Sequence, residues 1–291
     1  MFVSPKPFAF LSLVAILSAG CAASLPAPGS PDRPSAASPA PAVDLRELLP
    51  APYAADSAEA RAELERMLAI QAERSPEAAA RARDDADASV FRFADALGNP
   101  AAFVPERLPR VTALFARVLE AEAAVVGPGK DGFARARPCR TDPRLKPVLP
   151  CPTSASYPSG HAAFGWAAGL VLADLVPEKR AVILARARDY AWNRVVAGVH
   201  YPSDVEAGRI SGVVVAAFLF ASPAFRDEER AARGELRAAL GLPSAPASGL
   251  GAGRDGARRV ADPLAPGTGV QPAAAEARML EGEQVVAGRD P

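Results

Sequence analysis

Three short stretches hold the residues whose types and spacing could do chemistry. "KDGFARARP" carries Lys130 and Arg137, "YPSGH" carries Ser159, Gly160 and His161, and "NRVVAGVHYPSD" carries Arg194, His200 and Asp204. His161 and His200 are the only histidines in 291 residues. Read as helix, the first stretch puts Lys130 and Arg137 two turns apart on one face, and Pro138 ends that helix straight after Arg137. Alone, the run is explained as well by a solvated basic face. In the second stretch Pro158 stiffens the entry, Ser159 caps a helix, and Gly160 lets backbone N–H groups approach a ligand closely. The free amides and partial positive charge of a helix start suit an anion. In the third, Arg194 falls in the last turn of one helix, His200 in the connection, and Asp204 in the first turn of the next. A carboxylate four residues past a histidine can reach back, fix its tautomer and raise its basicity. It can equally complement the helix dipole.

Three cations, a helix start, two histidines and an aspartate are the parts needed for phosphoryl transfer without a metal or other cofactor. That reaction is mostly positioning plus neutralisation of charge on three oxygens. Arginine adds planar bidentate donors. One histidine would attack phosphorus and the other protonate the leaving oxygen.

The elements that must position these residues read as helices. "DSAEARAELERMLAIQAER" sets Leu64, Met67, Leu68 and Gln71 on one side. A helix capped by Ser75, with Pro76 at its first position, is predicted to run to Gly98. "LPRVTALFARVLEAEAAVVG" is the next, predicted to stop at Gly127-Pro128-Gly129. Ser159 caps "GHAAFGWAAGLVLADL", and "PEKRAVILARARDYAWNRVVAG" ends at Gly198. "SDVEAGRISGVVVAAFLF" follows, and Ser222-Pro223 opens a last, charged helix. No run keeps a period of two, so the fold class is all-α, a single-domain helical bundle. The apolar stretches Ala162–Leu175 and Ile210–Phe220 fall short of the roughly 20 residues a bilayer span needs and read as core helices.

Both ends read as non-globular. Lys6, an apolar run from Phe8 to Leu17 and small residues after it form an export signal over residues 1–21. Leu17-Ser18-Ala19-Gly20-Cys21 resembles a bacterial lipobox, with Cys21 as the lipidated residue; ordinary cleavage near Ala22 or Ala23 is the alternative. Residues 22–43 are a Pro/Ala/Ser-rich tether, residues 44–241 the helical domain, and residues 242–291 a disordered tail with room for a marginal helix over Ala273–Val286. The expected location is the periplasm, with a lipid anchor in the envelope as the sole membrane contact. In that oxidising compartment Cys139 and Cys151 are left as a pair that a disulfide could join across "RTDPRLKPVLP". With 33 basic and 33 acidic residues there is no overall attraction to nucleic acid. The oligomeric state stays open.

The order K-x6-RP, PSGH, R-x5-H-x3-D resembles the signature of the type 2 phosphatidic-acid phosphatase superfamily. Within it the chain is most similar to the bacterial class A non-specific acid phosphatases, which are secreted, all-helical and soluble. The spacing agrees: 19 residues separate Pro138 from Pro158, and 31 separate His161 from Asn193. The resemblance implies a metal-independent acid phosphatase acting on small phosphate monoesters. His200 would form a phosphohistidine, Asp204 would orient it, and His161 would be the general acid and then the base. Lys130, Arg137 and Arg194 would bind phosphate oxygens, with Ser159 and the amide of Gly160. Asn193 stands where the family has Ser, which implies altered phosphate contacts or specificity. A vanadate-dependent haloperoxidase with vanadate on His200, and a lipid-phosphate phosphatase, would share the site. The chain is short for the first, and the second usually has several membrane spans. A fourth reading is a non-enzymatic envelope protein with an idle site.

Overall fold

The computed structural model describes residues 43–244. The export signal with Cys21, the tether up to residue 42 and the tail from residue 245 lie outside the described residues. The elements in chain order are α1 (Leu45–Leu48), α2 (Ala58–Glu73), α3 (Pro76–Asp84), a 3-10 turn (Val90–Phe93) leading into α4 (Ala94–Leu97), α5 (Pro109–Phe133), α6 (Pro138–Thr141), α7 (Gly160–Leu175), α8 (Arg180–Val196), α9 (Pro202–Ala221) and α10 (Pro223–Ala239). No strand occurs among the described residues, and the fold is all-α.

Helix α7 is the axis of the bundle, buried on nearly all sides and packed against α5, α8 and α9. Small residues make this possible. A Cβ on Gly208 of α9 would collide with the Ser159 carbonyl oxygen and stand 2.7 Å from Ala162 Cβ, and one on Gly212 would collide with the Ala163 carbonyl in the same way. These two glycines, four residues apart, form a groove on α9 into which the start of α7 sinks. On its other side α7 offers Gly169, where a Cβ would lie 2.7 Å from Ala187 Cβ of α8. The first turns of α7 and α9 are thereby locked side by side, and the Ser159 N–H donates to the Asp204 carbonyl at 2.9 Å. Phe93, Phe164, Leu172, Ile183 and Phe225 fill the core around this axis.

Two expected boundaries fall elsewhere. Helix α5 does not stop at Gly127-Pro128-Gly129 but continues to Phe133. Pro128 and Ala124, whose carbonyl loses its partner, are both on the exposed side, so water can satisfy the freed group. The helix begun at Ser75 ends at Asp84 and does not reach Gly98 intact. The chain turns there because the Asp85 carboxylate is fully buried, accepting from Arg186 NH2 at 2.6 Å and Asn193 Nδ2 at 2.7 Å. Gly98 still terminates the short α4, at φ 73°. The Ser57, Ser75, Ser159 and Ser222 hydroxyls cap α2, α3, α7 and α10. No single helix among the described residues is long and apolar enough to cross a membrane.

Candidate active site

The three sequence stretches converge at the N-terminal ends of α7 and α9. His200 sits in the turn after α8, which reverses through Gly198 at φ 78°, a backbone conformation that favours glycine. Its ring is buried. Nδ1 faces Asp204 Oδ2 at 3.4 Å and Ser156 Oγ at 3.5 Å, while Nε2 lies 2.9 Å from Arg137 NH1. A guanidinium only donates, so Nε2 carries the lone pair and Nδ1 the proton. Burial pushes His200 down to about 3, against the opposing pull of Asp204, so the ring is neutral at ordinary pH.

Asp204, at the third position of α9, accepts the Tyr201 N–H at 2.8 Å and thus caps its own helix. Its other oxygen takes a salt bridge from Arg135 at 2.7 Å, and the Ser156 hydroxyl donates to the first. Burial works to raise its pKa, but His200, Arg135 and Ser156 together hold it below the ordinary carboxylate range.

Lys130 and Arg137 reach the site by a route that differs from the expected single helix. Helix α5 ends at Phe133, Ala134 takes the left-handed conformation at φ 50°, and Arg137 lies in extended chain before α6. The two cations nevertheless meet on one carbonyl: Lys130 Nζ donates to Ala155 O at 2.9 Å and Arg137 NH2 to the same oxygen at 3.4 Å. Arg137 is further held by the Ser154 carbonyl at 2.7 Å and the Val199 carbonyl at 2.9 Å. Burial first, then repulsion from Arg137, brings Lys130 down to about 8. Cys139 and Cys151 are joined in a disulfide that closes the loop leading to Ser154 and Ala155.

Arg194, in the last turn of α8, is only 3% exposed, and its Nε and NH1 make no hydrogen bond among the described residues. Two buried, unpartnered donors on a guanidinium are costly unless an anion completes them. His161 is in the first turn of α7, with Nε2 2.8 Å from the carbonyl of Ala86, which accepts its N–H. That leaves Nδ1 as the atom presented to the site. Burial, then the charges of Arg194, Arg137 and Lys130, bring His161 down to about 4. Ser159 Oγ is buried and accepts the Ala162 N–H at 3.3 Å, and Gly160 leaves room where a Cβ would meet Glu122 Oε1 at 2.9 Å.

Asn193 does not face this cluster. Its amide donates to Asp85, so the residue expected to alter phosphate contacts instead belongs to a buried network with Arg186. Several site residues escaped the sequence reading. Arg135 bridges Asp204, Ser203 Oγ at 2.8 Å and Glu63 at 2.8 Å, and stacks 3.9 Å over the Tyr201 ring. The signal for Arg135 was its spacing of two from Arg137, which puts both on one side of an extended segment but not of a helix. Ser156 and the Ala86 carbonyl carried no sequence signal.

Fold and site together place three cations and a helix start around a neutral histidine whose Nε2 lone pair faces Arg137. Residues 111–228 match the family model described as the PAP2 superfamily. The chain is 36% identical over 137 residues to an acid phosphatase of Zymomonas mobilis subsp. mobilis (46% of this chain, 52% of the relative). It is 32% identical over 153 residues to a non-specific acid phosphatase of Providencia stuartii (50% and 59%), and 41% identical over 83 residues to one of Salmonella typhimurium (28% and 33%). The chain thus spans about half the length of the first two relatives. Among solved structures it is similar to a transmembrane PAP2 type phosphatidylglycerolphosphate phosphatase from Bacillus subtilis, with 18% identity and a TM-score of 0.41, covering 56% of this chain and 86% of that one.

Proposed function

We propose that this protein is an acid phosphatase that hydrolyses phosphate monoesters through a phosphohistidine on His200. The observation that carries the reading is Arg194, a buried cation with two unpartnered donors beside Lys130, Arg137 and the lone pair of His200. The acid phosphatases to which the chain is similar support the same reaction class.

The phosphoryl oxygens are held by Arg194, Lys130, Arg137 and the first amides of α7, with the Ser159 hydroxyl beside them. Arg137 NH1 exchanges His200 Nε2 for a phosphate oxygen, which frees the nucleophile. The Nε2 lone pair attacks phosphorus, the ester P–O bond breaks, and its electron pair leaves with the alcohol oxygen, which takes a proton from His161. Asp204 stabilises the positive charge that His200 acquires. Water then gives a proton to His161 and attacks phosphorus, and the N–P bond electrons return to Nε2 as phosphate forms. His161 has to carry a proton in the first step. In the empty site three cations oppose that; a bound phosphate dianion offsets them and raises its pKa. Activity therefore falls as pH rises.

The test is hydrolysis of a chromogenic phosphate ester by the purified protein in chelator, beside His200→Ala. We expect turnover without added metal, inhibition by vanadate, at least a thousand-fold loss (on the order of what losing a nucleophile costs) and an acid-labile phosphohistidine trapped in the wild type. Unchanged turnover in His200→Ala, or strict dependence on a divalent ion, refutes the mechanism. We also infer export with a lipid on Cys21, supported by the lipobox-like sequence. Mass spectrometry of the mature N-terminus should find acylated Cys21; an unmodified Ala22 or Ala23 start refutes it.

A further inference from the structure

We infer that Glu122 sets the substrate preference of this site, favouring esters whose alcohol carries a positive charge over those whose alcohol carries a second negative one. The inference rests on the phosphatase reading above and extends it to the leaving group.

In-line displacement puts the attacking and leaving atoms on opposite sides of phosphorus. With His200 on one side, the alcohol departs on the side of His161. A cavity of about 300 Å³ opens there, lined by His161, Gly160 and Lys130 together with apolar groups such as Leu119, Val126 and Phe164. Glu122, from the middle of α5, supplies the one carboxyl in its wall. The residue is 7% exposed and makes no hydrogen bond among the described residues. A Cβ on Gly160 would meet Glu122 Oε1 at 2.9 Å and Lys130 Cε at 3.7 Å, so the carboxyl lies over the first turn of α7 beside Lys130. The carboxyl thus borders both the phosphate cradle and the path of the alcohol. Nothing in the mechanism uses it.

A buried, unpartnered carboxylate next to a departing alcohol rewards an ammonium or another donor there and repels a second anion. The other ionisable groups lining this cavity are Lys130 on the same helix and His161 on α7. Burial, against the attraction of Lys130, raises Glu122 to about 7. The preference is therefore full above that pH and fades below it, as the carboxyl takes up a proton.

The experiment compares kcat/KM of the full chain for phosphoethanolamine, glycerol 1-phosphate and 3-phosphoglycerate at pH 8 and pH 5.5, in wild type and Glu122→Gln. Ratios between substrates are the readout, with each rate referred to the dianionic fraction of that ester at that pH, so ionisation of the phosphate and of His161 cancels. We expect the cationic ester to exceed the anionic one by about tenfold at pH 8, a size typical of one close charge, with the ratio shrinking at pH 5.5. In Glu122→Gln it should fall to within about twofold and lose its pH dependence. Equal handling of the three esters by the wild type, or a ratio that Glu122→Gln leaves intact, overturns this inference and leaves the phosphatase reading standing. If Glu122→Gln does not fold, the wild-type ratio and its change between the two pH values decide alone. No hydrolysis of any ester overturns both.

Discussion

Arg137 donates to Nε2 of His200, the nitrogen proposed as nucleophile: NH1 and Nε2 are 2.9 Å apart, both side chains buried. A permanent cation at that position repels a proton from Nε2 and so keeps the lone pair available, while Asp204 holds the proton on Nδ1. The arginine proposed to bind phosphate thus also sets the resting protonation of His200.

That pair gives a spectroscopic prediction. Nitrogen NMR should show His200 as the neutral Nδ1–H tautomer down to about pH 4, because its folded pKa is depressed to about 3. Asp204→Asn should scramble the tautomer and lower kcat by about 100-fold. A His200 that titrates near 6.5 would contradict the geometry.

Arg194 should trade stability for binding. Its unpartnered donors cost the empty protein, so Arg194→Met should raise stability without phosphate by about 1–3 kcal/mol. The same change should abolish the rise in melting temperature that phosphate or vanadate gives the wild type. Thermal melts with and without ligand check both halves, and a ligand shift that survives in Arg194→Met is the contrary result.

Gly208 should be intolerant in a way that Gly234 is not. An added methyl on Gly208 runs into the Ser159 carbonyl and Ala162, parting the helix start that carries His161 from the one that carries Asp204 and follows His200. Gly208→Ala should cost about 1–3 kcal/mol and lower kcat. Gly234 in α10 has open space around it, and Gly234→Ala should stabilise by about 0.5–1 kcal/mol with activity kept. Urea unfolding beside steady-state kinetics separates these outcomes.

Arg135 should act as a structural cation. It is the ion-pair partner of both Asp204 and Glu63, neither of which is more than 10% exposed at the side chain. Arg135→Ala leaves two buried carboxylates uncompensated and should cost about 3–5 kcal/mol. Adding Glu63→Gln should recover part of that loss, measured as a double-mutant cycle. Strict additivity would show that the bridge carries no coupling.

Much of the site was legible in the chain because its logic is local. Ser159 caps the helix that starts with Gly160-His161, and His200 and Asp204 are an i,i+4 pair across a helix start. Such relationships depend on spacing and side-chain chemistry, and tertiary contacts did not change them. Lys130 and Arg137 were grouped correctly on a wrong local structure. A left-handed residue at Ala134 replaces the expected second turn, and convergence on the Ala155 carbonyl restores the meeting point. The boundary at Pro128 was misjudged because a proline on a solvent-facing side of a helix loses little.

The sequence by itself determined the all-α class and singled out Lys130, Arg137, Arg194 and the two histidines that the fold brings together, since caps, helical periods and short spacings are properties of neighbours along the chain. Tertiary structure alone decided the rest: Asn193 turned toward Asp85 108 residues away, Arg135 bridging to Glu63 across 72, and Ala86 brought to His161 across 75. Such contacts arise only once the helices pack, and no local pattern encodes which buried charge will meet which partner across that distance.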